Sequence, residues 1–136
     1  MTRRLALLAV MATGVMLLAR SAPLIAHHSL SAEFDTDRTV TITGVIAEMR
    51  WTNPHSWLYV NVKDARGQVS KWAIEFASPN SLYRRGWRRD DLPTNLAVTV
   101  NGYPNRDKSQ TISAIDVKLP DGRTLFAGTG PTEGGR

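Results

Sequence analysis

Apolar and polar positions alternate along most of the chain beyond residue 38. From Val40 to Trp51, the residues Val40, Ile42 and Ile46 fall two or four apart with threonine between them, which predicts a strand. Gly44 interrupts it, where a bulge or sharp coiling is expected. After Thr52-Asn53-Pro54, which is turn chemistry, alternation resumes over His55 to Val62. Leu58, Val60 and Val62 share one face there; His55, Trp57, Tyr59 and Asn61 share the other. Asp64 to Gly67 reads as a hairpin turn, and Val69 to Ala77 as a third strand with Trp72, Ile74 and Phe76 inward.

The period then breaks. Ser78-Pro79 has the form of an N-cap followed by proline in a first helical turn, and Gly86 that of a helix stop, so Asn80 to Arg85 is read as a short helix. Strand character returns over Leu96 to Tyr103 and Thr111 to Leu119, with a short last strand at Thr124 to Phe126. Five short strands with one helix after the third is the order of an OB-fold, a mainly β barrel. An open antiparallel sheet covered by the helix is the competing arrangement. The residues expected in the core are Leu58, Val60, Trp72, Ile74, Phe76, Val98, Val100, Ile115 and Val117, with Trp87 as a plug beneath the barrel.

The first 26 residues have a different character. Arg3 and Arg4 precede an apolar run from Leu5 to Ala19, too short for a bilayer span of about 20 residues and suited to a signal peptide. Cutting after Ala26 is the expected processing and would leave His27 as the mature N-terminus, with no stable membrane span. The expected organisation is a signal at 1–26, an extended segment at 27–37, a barrel at 38–126 and a flexible Gly-rich tail at 127–136. The expected location is the periplasm or the medium.

Processing changes the charge picture. The whole chain carries 17 basic and 12 acidic residues, a net +5 with a pI near 10.1. Three of those arginines lie in 1–26, so the mature chain keeps 14 basic residues and a net of +2. That balance argues against a nucleic-acid partner. The absence of cysteine excludes a lipoprotein anchor, disulfides and thiolate metal sites together.

Several motifs together resemble an uncharacterised family of small exported proteobacterial proteins, a domain of unknown function. They are His27-His28-Ser29 with Phe34-Asp35, the run Trp51 to His55, Ser78-Pro79-Asn80, Arg85-Gly86-Trp87 and Leu119 to Arg123. The resemblance implies export and one small β domain. It implies no activity and no catalytic residue.

Three constellations carry chemistry. Trp51, His55, Trp57 and Tyr59 fall on or beside the second strand, while Tyr103, Asn105 and Arg106 fall at the fourth-to-fifth connection. OB-folds meet ligands on the face of strands two and three and on those two loops. Trp51 is also suited to closing the barrel end, whereas Trp57 has outward parity. The partner expected for this face is an envelope glycan, a peptide or a protein. His27, His28 and His55 form the second constellation. A mature His27 offers an amine and an imidazole, which with His55 or His28 would suit Cu(II). The third is the run Tyr83 to Asp91, where Arg84, Arg85, Arg88 and Arg89 surround Trp87; it reads first as a solvated face with local ion pairs. Glycine-elbow serines, phosphate-binding glycine loops and HExxH pairs are absent from the sequence. A non-catalytic binding module therefore ranks first, a copper-binding protein second and an enzyme last.

Overall fold

The computed structural model describes residues 30–128. Their order is α1 (Leu30–Glu33), β1 (Val40–Arg50), β2 (Ser56–Lys63), β3 (Val69–Phe76), α2 (Pro79–Arg84), a 3₁₀ turn (Arg89–Asp91), β4 (Ala97–Pro104), β5 (Thr111–Lys118) and β6 (Thr124–Phe126). The sheet order is β3-β2-β1-β4-β5-β6, and β3 also pairs with β5. That pairing closes five strands into an OB-like barrel and leaves β6 as an additional strand on β5.

The long first strand makes closure feasible. Its first half pairs with β4, from Val40↔Gly102 to Val45↔Ala97, and its second half with β2, from Val45↔Asn61 to Arg50↔Trp57. Gly44 lies where the strand changes partners. A Cβ there would press on the Asn61 carbonyl and come 2.7 Å from Val60 Cγ1. Glycine thus serves close backbone approach, and the bulge with β2 lies further on, between Ile46 and Glu48. The barrel shuts through three parallel pairs, Ala73↔Thr111, Ile74↔Ile112 and Glu75↔Ser113.

Ile42, Ile46, Leu58, Val60, Ile74, Phe76, Val98, Val100, Ile112 and Val117 are buried in one core. Each such side chain contributes roughly 1.5–3 kcal/mol relative to exposure. Two expected core residues differ. Trp72 is half-buried, because β3 gains its β5 neighbour only from Ala73 onward. Ile115 is also half-buried, because Gly102 pairs Ala114 while Asn101 pairs Asp116, and Ile115 is the extra residue at that shift.

The helix α2 starts as its sequence indicates: Ser78 Oγ accepts from the Ser81 amide at 3.4 Å, and Pro79 takes the first turn. Gly86, at φ +95°, ends it. Leu82 is fully buried, and Trp87 plugs the core, with its ring centroid 5.6 Å from that of Phe76. The Trp87 indole donates to the Phe126 carbonyl at 2.8 Å. The chain ends of the domain depart from expectation. Residues 30–33 form a helical turn instead of extended chain, and Phe34 is buried at 1% exposure. Ala127, expected in the tail, is buried and bridges the sheet: its amide donates to Ile115 O and its carbonyl accepts from Ala77.

Candidate functional site

The barrel closure aligns positions of outward parity that lie far apart in sequence, of which the two middle ones, Glu75 and Ser113, are buried and the end ones, Trp57 and Tyr103, are half-buried. Trp57 pairs with Glu75, Glu75 with Ser113, and Ser113 with Tyr103, across β2, β3, β5 and β4. At about 4.8 Å per strand spacing, the row spans roughly 14 Å of barrel wall. The next row runs Tyr59, Ala73 and Thr111, so small side chains form its middle. His55, Trp57, Tyr59 and Tyr103 are half-buried, as befits rings lying along a wall.

Glu75 is the unexpected member. Ile74 and Phe76 on either side of it face the core, so Glu75 faces outward, yet its side chain is only 7% exposed. His55 covers it: His55 Nδ1 contacts Glu75 Oε1. A bare carboxylate and a ring nitrogen lone pair are both acceptors, so this contact requires a proton between them. Burial pushes the Glu75 carboxyl up from its ordinary 4.5 to about 7, and the nearby charge of Glu33 adds to the rise. The Glu75 carboxyl is therefore harder to ionise than an ordinary glutamate, and the contact is made through either its own proton or the Nδ1–H of His55.

Glu33 is close because the fourth-to-fifth loop holds α1. The Arg106 amide donates to Glu33 O and its guanidinium to Ser31 O, both at 3.0 Å, while Asp35 N donates to Pro104 O at 2.9 Å. Arg106, expected to face ligand, thus fastens the N-terminal segment. Thr52 Oγ1 donates to the His55 carbonyl at 2.8 Å, which fixes the loop that delivers His55.

The aromatic residues divide by their neighbours. Tyr59 carries two cations from the strands flanking β2: Arg50 Cζ lies 4.9 Å and Lys71 Nζ 4.8 Å from its ring centroid. Arg50 is also bonded to Glu48 at 2.7 and 3.0 Å, which holds the Glu48 carboxyl below its ordinary range. Trp57 makes no ring-stacking or cation–π contact among the described residues. Trp51 belongs elsewhere. It stacks on Tyr83 at 5.4 Å and 15°, packs against the core and carries Arg89 at 5.7 Å, so it closes the barrel end. The arginine run is tied locally: Arg88 Nη1 donates to Trp87 O at 2.7 Å, and Arg85 lies over Phe126.

His27 and His28 lie outside the described residues, as does residue 26, where processing was expected. Among the described residues there is no group of three or more His, Asp or Glu side chains able to hold a metal. No helix among them is long and apolar enough to cross a membrane.

A small OB-like β-barrel with outward aromatic rings beside a half-exposed histidine on a buried glutamate is the class of protein that fold and site define. The sequence profile of DUF6152, a family of unknown function, matches residues 14–113, and the chain belongs to that family. No curated protein matches it.

Proposed function

We propose that this protein is an exported, non-catalytic binding module whose ligand sits on the outer face formed by Trp57, His55, Tyr59 and Tyr103. The observation that carries the reading is the outward, half-buried pair of rings Trp57 and Tyr59 on β2, with His55 beside them over the buried Glu75. It puts Trp57, a ring without aromatic or cationic partner among the described residues, next to a half-exposed histidine that covers a buried acid. Monomeric domains rarely place a buried acid on the outside of a barrel without use for it, since burial raises its energy. The site offers stacking area and directional hydrogen bonding in one place, which is what selective binding requires. A quantitative pull-down from cell-envelope extract, wild type against Trp57→Ala, tests the reading. Loss of one or a few components supports it; equal recovery of every component contradicts it.

A second reading is favoured by one observation, the docking of α1 beside the fourth-to-fifth loop with Glu33 close enough to act on Glu75. The described chain thus begins with a helical turn whose Glu33 acts on Glu75, the acid that His55 contacts. On this reading, the amine and ring of a mature His27, with His55 or His28, hold one Cu(II). Mass spectrometry of the exported protein followed by copper titration tests it. An N-terminus other than His27, or affinity unchanged in His27→Ala, contradicts it.

A further inference from the structure

We propose that the ligand of the outer face is an anionic oligosaccharide, with a sugar ring stacked on Trp57 and its acidic groups met separately by Lys71, beside Tyr59, and by Lys63 further along β2. This rests on the binding-module reading above and adds the chemical class. Trp57, Tyr59, Asn61 and Lys63 alternate along β2 and so form one outward column. At about 3.3 Å per residue, the column is roughly 20 Å long. Lys71 pairs with Asn61 across to β3 and reaches back over the Tyr59 ring. The face therefore carries Trp57 at one end, cations over Tyr59 in its middle and Lys63 at the other end, a pattern suited to an elongated ligand with apolar ring faces and acidic groups.

Charge decides how acidic that ligand should be. Arg50 is already neutralised by Glu48. Lys63 and Lys71 make no ion pair among the described residues, and both are exposed. Two available cations match one or two acidic groups. A polynucleotide presents a phosphate at every step and is held by a continuous basic groove. Here Glu48 stands within the face and the processed chain would carry only +2. Stacking on a single ring and sparse charge fit a saccharide bearing carboxylates. The fold class supports it as well, since OB-folds bind oligosaccharides on this face.

The experiment is isothermal titration of the purified processed protein with tetragalacturonate and with its methyl ester, which has the same rings without charge. The acid is expected to bind at least tenfold tighter than the ester at low salt, with the gap closing as salt rises. Lys63→Gln/Lys71→Gln should abolish the preference for the acid over the ester, whereas Trp57→Ala should weaken binding of both. Both substitutions are outside the core, and far-UV circular dichroism verifies folding. Equal binding of acid and ester overturns the proposal, as does a preference unchanged in the double lysine variant. Failure to bind either form also overturns it. Tighter binding of oligo(dT) or of polyglutamate than of the saccharide overturns the class. The binding-module reading falls separately, on the envelope pull-down.

Discussion

Replacing Glu75 by Gln isolates the buried proton. In the folded chain the carboxyl keeps its proton to about pH 7, while in the unfolded chain it releases it near 4.5. Between those values the folded state binds more protons than the unfolded one, so stability is fully present at the acid end and falls as pH rises. A shift of that size corresponds to at most about 3 kcal/mol. His55, whose side chain is 43% exposed, admits water to one side of the pair. Screening of this kind reduces the expected loss to about 1–2 kcal/mol between pH 5 and pH 8. Glutamine keeps the shape and can donate its amide to His55 Nδ1, but it does not titrate. Urea unfolding of both proteins at pH 5 and pH 8 provides the measurement. The wild type should lose stability over that interval, and Glu75→Gln should lose at least 1 kcal/mol less. Parallel profiles would refute the assignment of the proton to Glu75. A wild type that gains stability with pH over that interval would refute it as well, because a raised Glu75 pKa can only lower stability there.

Three substitutions probe the scaffold that carries the site. Ile74→Asp places an unpaired carboxylate at a fully buried position on the closing strand and should abolish the cooperative urea transition. Gly44→Ala forces a Cβ toward Asn61 O and Val60 Cγ1 where β1 changes partners; about 1–3 kcal/mol of stability should be lost in urea unfolding. Trp87→Phe deletes the hydrogen bond to Phe126 O but keeps most of the packing, so thermal unfolding should show a loss of about 1–2 kcal/mol, less than the roughly 3–5 expected for Trp87→Ala.

The strands were legible because each has one wet face, which writes period-two alternation into the sequence. The helix was legible because Ser78-Pro79 and Gly86 bracket it with local chemistry. Residues 30–33 were not, since a four-residue turn has no periodicity and is held by Arg106, more than 70 positions away. The same distance hid the role of Arg106 itself. Trp72 and Ile115 obey strand parity, but the start of the closing seam and a register shift decide their exposure, and neither is a local property. The outward parity of Trp57 and Tyr59 was legible from alternation along the second strand. Glu75 was missed because an acid at an outward strand position is ordinarily solvated. Its parity gave the direction, but only the β2–β3–β5 register and the fold of the first loop bring His55 onto it. Lys71 and Arg50 were missed similarly, because their meeting at Tyr59 depends on which strands flank β2.

The central claim is that ligand meets the wall around Trp57. The chain has four tryptophans, at 51, 57, 72 and 87, and each contributes one indole N–H signal to a nitrogen–proton correlation spectrum. Titrating the labelled, processed protein with the small-molecule fraction of cell envelope, with each signal assigned by single Trp→Phe variants, reads all four positions at once. The account predicts that the Trp57 signal moves most, the half-buried Trp72 and Trp51 signals little, and the fully buried Trp87 signal not at all. A spectrum in which Trp57 stays fixed, or in which Trp51 and the residues around Arg89 shift in its place, would contradict it.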